Sequence, residues 1–316
     1  MGRRIHAGAN VNSWTEDGED LMSNANESSR VARSMWAAAE PFALLGIASP
    51  EMFEAMAGLG MPKGAVFLAV RAAPLGRASS AVVAAAFHAF PRSRFEERLI
   101  PVWEYTTPEQ VIDAAHASIP LMAERLFGSD VDTQELSTVA DRLTEIVATL
   151  DTSGRPLASG NQAVTPPAEP WARLWRAWTA LREYRGDGHV ATLVSNDLSV
   201  PEVQVLSATW GHERYDLDML RATRNLTDEV WSAAQAALAS RGLLDSNGAL
   251  SDSGRNLRED IESRTDRASM RAWSQLSDAE LRQVHTFTLD LSTRIIDSGQ
   301  FPARTAVGSP WPPPAL

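Results

Sequence analysis

Arg182, Arg185, Asp187 and His189 lie within one short stretch, REYRGDGHVATL at 182–193, and together hold the parts of an acid–base site. Guanidinium groups grip a carboxylate, enolate or phenolate, an imidazole moves a proton near neutral pH, and a carboxylate orients the imidazole. The residues just upstream place these groups in a dry environment. Trp171, Leu174, Trp178 and Leu181 step by three, four and three, and the next step of four is Arg185; Trp175, Trp178 and Arg182 form the neighbouring row. Both arginines thus extend a face of tryptophan and leucine that a core needs to bury. Arginine does not escape burial by losing its proton, so each one requires carboxylates, carbonyl oxygens, water or an anionic ligand.

Asp187 is the nearest partner in the chain, and Gly186 and Gly188 on either side of it predict a break in the helix. Asp187 is then expected to cap a new helix with His189 in its first turn, where the positive helix end lowers the imidazole pKa. Glu183, off the stripe, is expected to be exposed. Two readings stay open at this point. In one the cluster staples a helical kink; in the other His189 and Asp187 are catalytic, with Arg182, Arg185 and Trp178 holding the substrate. His88, in AAAFHAFP, is either a core histidine or a second pocket residue. Met52 and Met56, with Met35 and Met61, either fill gaps in a core or line an adaptable cavity. A metal site is disfavoured, because the other histidines are scattered and the arginines repel a cation. No fingerprint for an organic cofactor is found either: GLGMPKG lacks the strand-to-helix setting of a phosphate loop, and GSDVD at 128–132 lacks the length of a calcium loop.

Composition narrows the function classes. The chain has 316 residues, of which 44% are hydrophobic and 22% charged, enough for two cores, and a formal net charge of -11. Averaged over the surface, that charge repels nucleic-acid phosphates and anionic membranes. With no cysteine, disulfides and thiolate chemistry are excluded, and a cytoplasmic setting is expected. No run of apolar residues reaches the ~18 that a membrane span needs.

The elements that position the cluster are mainly helical. Val31, Met35, Ala38, Phe42 and Leu45 share one helix face that Pro41 is expected to bend. Ser49-Pro50-Glu51 and Thr107-Pro108-Glu109-Gln110 are helix starts, the second with a capping-box glutamine. Leu136, Val139, Leu143, Ile146 and Leu150 make the cleanest amphipathic stripe. These features divide the chain into a disordered tail at 1–29, a helical domain at 30–150, a glycine- and proline-rich linker at 151–169, a second domain at 170–298 and a proline-rich tail at 299–316. Within the second domain a capped helix, Gly242, a short apolar pair, Ser246-Asn247-Gly248, another apolar pair and a capped helix predict a helix, a two-stranded wing and a helix. The fold class expected is mainly α, with two helical half-domains and a winged-helix-like element carrying a short β-hairpin.

The segments ASPE, RAAPLG, REYRGDGHVATL and RGLLDSNGALSDSG followed by LREDIE resemble a group of actinobacterial proteins labelled helix-turn-helix proteins, whose winged segment is similar to MarR-type regulators. The likeness runs from about residue 30 to 298. It implies a DNA-binding fold element rather than an activity. This chain departs from the family pattern at Ile47 and Ala48, where two aromatic residues are expected.

A DNA-reading helix offers arginine, lysine, asparagine or glutamine to base edges. TDEVWSAAQAALASR offers Gln235 alone, its charges being Asp228, Glu229 and Arg241, and the loop DSNGALSDSG has two aspartates and no cation. Sequence-specific DNA binding is therefore disfavoured, although Arg221, Arg224 and Arg255 remain to be borrowed. The resulting expectation is a small-molecule-binding protein without a cofactor, acting on an anionic organic metabolite between its halves by acid–base chemistry of the isomerase, cyclase, lyase or hydrolase kind. The alternative is a ligand-responsive, MarR-like transcription regulator, a homodimer in that case.

Overall fold

Local capping accounts for most of the helix starts. A computed structural model describes residues 13–302 and 304–316, with side chains from Ser29 onward. The first half contains α1 (Ser13–Ala48), α2 (Pro50–Gly58), α3 (Lys63–Ala72), α4 (Ser80–Phe87), α5 (Arg92–Arg98), α6 (Pro108–Phe127) and α7 (Thr133–Thr149). The second contains α8 (Pro156–Ala163), α9 (Pro170–Ser195), α10 (Val200–Trp210), α11 (Leu217–Thr223), α12 (Asp228–Ser240), α13 (Asp252–Trp273) and α14 (Asp278–Asp297). Ser49 caps α2 by accepting from the Met52 amide at 3.2 Å, and Thr107 and Gln110 close the capping box of α6. The stripe on α7 is buried as its spacing predicts. Helix α1 runs through Pro41 and starts at Ser13, inside the stretch assigned to a tail; residues 1–12 lie outside the described residues. Between Asp151 and Glu169 the chain forms α8, which packs on α9.

The side chains build two cores. The larger joins Met35, Phe42, Met52, Met56, Leu136 and Leu143 to Trp175, Trp178 and Tyr184 of α9, and to Trp273 and Leu291 further on. The smaller holds Leu193, Leu198, Leu206, Leu238, Leu244 and Ile261. Helix α9 belongs to both, packing along its length against α1, α6, α7, α8 and α13. It therefore carries the chain from one core to the other over the residues singled out above.

The expected β-hairpin is absent: among the described residues no strand forms. Leu244 and Leu250 make one isolated antiparallel bridge around the turn, with Asp245 N donating to Ala249 O at 2.8 Å. Only a pair of residues on each side separates the turn from Gly242, with φ at 70°, and from Ser251, which already caps α13. Too little chain remains for a ladder, so the segment is a tight loop and not a wing. A different arrangement lies just before it. Helices α11 and α12 are joined by the four residues Arg224–Thr227, with Asn225 left-handed at φ 52° and Thr227 capping α12. Helix, short turn, helix is the order of elements in a helix-turn-helix unit. No single helix among the described residues is long and apolar enough to cross a membrane.

The C-terminal segment is strapped across the start of α11 and onto α1. Thr305 N donates to Arg214 O and Asp216 N to Thr305 O, both at 3.1 Å, and Ser34 Oγ donates to Pro314 O at 2.7 Å.

Candidate functional site

A cavity of about 220 Å³ lies where α9 passes from the larger core to the smaller. Arg182, Arg185, Gly186, His189, Val190 and Leu193 of α9 line it. These residues share one helical face, stepping by three and four. Helix α9 is continuous through Gly186 and Gly188, so the predicted break and second cap do not occur. Gly188 answers a different need. A Cβ there would sit 3.0 Å from both the Ala268 Cβ and the Arg155 Nη1, so the residue permits close approach of α13.

Continuity of the helix separates the two residues expected to act together. Asp187 and His189 are two residues apart and face different ways. Asp187, buried and outside the cavity lining, accepts the Ala158 amide at 2.8 Å on Oδ2 and thus serves the N-terminus of α8; among the described residues Oδ1 has no partner. Burial pushes its carboxyl up to about 6, opposed by the backbone N–H groups of Ala158 and Leu157.

His189 faces the cavity. Its Nδ1 lies 2.9 Å from Thr265 Oγ1, and that hydroxyl donates its own proton to Ile261 O at 2.7 Å. The ring must therefore donate from Nδ1, which leaves Nε2 as an unprotonated acceptor on the cavity side. Burial lowers its pKa to about 3, against the pull of Glu262. The neutral form expected from sequence is found, but its cause is desolvation and not a helix end.

Each arginine of the motif has carboxylate partners from distant segments. Arg182 meets Glu40 through contacts of 3.0 to 3.1 Å, and Arg185 reaches Glu262 and Asp266 at 3.1 Å while stacking on Trp36 at 4.1 Å. Glu183 is buried at 1% exposure, where sequence placed it in solvent; Arg71 holds it in a bidentate pair at 2.7 and 2.8 Å. The reason is that α9 is wrapped on every side around this position, where residues 174–188 are buried or half-buried and no solvent face is open to a carboxylate.

The remaining predicted residues scatter. His88 lines the cavity and donates from Nε2 to Leu198 O at 3.1 Å, from a left-handed position (φ 42°) that ends α4. Trp178 is in the larger core against Trp273, with ring centroids 5.7 Å apart, and does not reach the cavity. Met52 and Met56 are fully buried in the same core, away from it. Sequence reasoning missed Trp36, Arg71, Trp210, Arg214, Arg258 and Glu262, and weighed Arg224 only for DNA; all of these line the cavity. The legible signals were Glu40, a lone carboxylate inside WAAAEPFALL, and Glu262 with Asp266 one helical turn apart.

Charge is unevenly matched within this space. Seven arginines (33, 71, 182, 185, 214, 224 and 258) line it against the carboxylates Glu40, Glu183 and Glu262. Asp266 adds a fourth acid by pairing with Arg33 and Arg185 from just behind the wall. Arg258 pairs with Glu262 at 2.6 Å. Arg214 and Arg224 have no carboxylate partner among the described residues.

A sequence profile described as a helix-turn-helix family matches residues 32–302. No curated protein and no solved structure matches the chain significantly.

Proposed function

From the premise that the chain belongs to that helix-turn-helix family, we propose that it binds a small organic anion in the cavity between its two cores, with the helix-turn-helix unit forming part of the wall. The single observation that carries this reading is the surplus of guanidinium groups over carboxylates in a space large enough for a metabolite. Buried cations without counter-charges are unfavourable in an empty protein and become favourable when an anion arrives. Aromatic rings support the same role. Trp210 lies between Arg214 and Arg258, with centroid distances of 4.7 and 4.9 Å, so the guanidinium groups are held by stacking before any ligand enters.

The catalytic pairing of His189 with Asp187 is not part of this proposal, because Asp187 serves α8. His189 remains as a neutral acceptor for a ligand hydroxyl or N–H. Titration with a panel of aromatic mono- and dianions, followed by the fluorescence of the lining residues Trp36 and Trp210, tests the reading. Saturable quenching with a rise in melting temperature is expected for anions and not for their neutral amides. Absence of any response to the panel at millimolar concentration sinks it.

A second reading, a DNA-binding regulator that responds to this ligand, is favoured by the family membership and by the α11–turn–α12 unit. The charge of that unit opposes it. The exposed residues of α12 include Asp228, Glu229, Val230, Ser232, Ala233, Ala236 and Ala239. The arginines open to borrowing are engaged: Arg221 with Asp228, Arg255 with Asp252 at 2.5 Å, and Arg224 in the interior. A gel-shift experiment on the promoter of its own gene at low salt decides between them; a retarded band that weakens steeply with added salt establishes the regulator.

A further inference from the structure

Arg224 is the first residue of the turn between α11 and α12, and it is held inside the molecule. It is 7% exposed, lies 5.1 Å from the centroid of the Phe90 ring and lines the cavity. Among the described residues its one side-chain hydrogen bond runs from Nη1 to the neutral Thr223 hydroxyl at 2.8 Å, and Nε has no acceptor. Burial, unrelieved by a carboxylate, brings its pKa down to about 10. Three neutral groups reach the same space: Gln204 and Ser207, both buried on α10, and Tyr215, which precedes α11. None of the three has a side-chain hydrogen bond to the protein among the described residues. Arg214, also without a carboxylate, completes the set.

We infer that Arg224, with Arg214, Gln204, Ser207 and Tyr215, forms a receptor for the phosphoryl group of a phosphate monoester, and that occupancy of this receptor fixes the turn between α11 and α12. The proposal rests on the anion-binding reading above and adds the headgroup, the residues and the element that responds. Five of the lining arginines are already shared among four carboxylates, and Arg214 and Arg224, which have none among the described residues, are two guanidinium groups left to meet a dianion. A phosphoryl group presents three terminal oxygens, more acceptors than a carboxylate offers, to a set of donors drawn from two guanidinium groups, an amide and two hydroxyls. All five residues lie between 204 and 224, so the headgroup ties the end of α10 to the turn. Asn225 and Leu226 follow directly, and Thr227 begins α12. A bound anion at Arg224 therefore restrains the one joint that sets α12 against α11.

Phenyl phosphate is the probe, compared with phthalate and with neutral benzyl alcohol, by isothermal titration calorimetry and thermal melting of the full chain. The wild type is expected to bind phenyl phosphate at least tenfold more tightly than phthalate and not to bind benzyl alcohol. Arg224→Gln is expected to weaken phenyl phosphate at least tenfold. Arg224→Met is expected to melt at a higher temperature than the wild type without probe, because an unmatched buried cation has been removed. Gln204→Leu serves as a second variant should the arginine variants fail to fold, with a loss of threefold or more expected. Hydrogen exchange at 224–228 is expected to slow with phenyl phosphate bound.

The outcomes separate this inference from the reading beneath it. Phenyl phosphate binding within twofold of wild type in Arg224→Gln, or in Gln204→Leu should that variant have to stand in, overturns the receptor while leaving the cavity reading intact. Tighter binding of phthalate overturns the phosphoryl class. Tight binding with unchanged exchange at 224–228 overturns the coupling to the turn. Failure of every anion to bind overturns both the receptor and the cavity reading.

Discussion

Replacing Asp187 by asparagine is expected to stabilise the protein above pH 6, an unusual direction for a buried polar residue. The carboxyl accepts the Ala158 N–H through Oδ2, and among the described residues Oδ1 is unpartnered in a buried site. Its pKa rises from 3.8 to about 6, chiefly through burial. Between those values the folded protein holds a proton that the unfolded chain has released, so the stability associated with this group is complete below pH 3.8 and is lost as pH rises through about 6. A rise of that size corresponds to about 3 kcal/mol at most, and about 1 to 2 kcal/mol once partial solvation is allowed for. Asparagine keeps an acceptor for Ala158 and carries no charge at any pH. Urea denaturation of both proteins at pH 4 and pH 8 gives the measurement; the difference between the two pH values cancels any fixed effect of the substitution. The variant is expected to gain about 1 to 2 kcal/mol relative to wild type on going from pH 4 to pH 8. A loss over the same interval would show that the ionised carboxylate is stabilised by Arg155 and the α8 N-terminus, and would refute burial as the dominant effect.

Three further outcomes follow from the same geometry. Stability is expected to fall below pH 6.5, because His189 and His116 are held by burial at about 3 and about 4, so the unfolded chain takes up protons that the folded one refuses. The slope is about 1.4 kcal/mol per pH unit for each histidine, and His189→Gln should remove one such contribution from urea curves between pH 6.5 and 5; an unchanged slope contradicts the assignment. Glu262→Gln takes the carboxylate from Arg185 and Arg258, both buried, and should destabilise the fold by about 3 to 5 kcal/mol at pH 7; a loss below about 1 kcal/mol would mean that water replaces it freely. Gly46→Ala should cost about 1 to 3 kcal/mol, since a Cβ there would lie 2.1 Å from Trp175 Nε1, which donates to Ala43 O at 3.1 Å. Thermal melting at wild-type temperature would disprove that contact.

What was legible in the sequence was whatever depends on local chemistry. Ser49, Thr107 and Gln110 announce helix starts because a side chain satisfying a nearby amide needs nothing from the rest of the chain. The α7 stripe was visible because that helix has one wet side. Helix α9 was only half legible. Its tryptophan spacing correctly carried Arg182 and Arg185 to a buried face, but the partners, Glu40, Glu262 and Asp266, lie on α1 and α13, more than 70 residues away. Amphipathic logic puts Glu183 in solvent because it assumes a solvent face, which α9 lacks at that level. Gly186 and Gly188 suggest a break, whereas Gly188 makes room for α13, a distinction that only the packed neighbour reveals. The hairpin expectation failed for a simpler reason, two residues on either side of a turn being too few for more than one bridge.

The distribution of charge then bears on what the helix-turn-helix unit meets. A chain of net charge -11 has seven arginines around one internal space and acids on the exposed start of α12. Long-range electrostatics therefore disfavour an extended polyanion at the surface, where each approaching phosphate meets Asp228 and Glu229. A small anion that has entered the cavity experiences the opposite field at short range, with little screening by salt. The two binding modes thus respond to ionic strength differently: ligand affinity should change little between low and moderate salt, whereas any contact of α12 with nucleic acid should vanish over that range. A ligand that is lost with salt as quickly as DNA would be sitting on the exterior, and the interior arginines would have to be understood as a closed ion-pair network whose surplus charge is met by water.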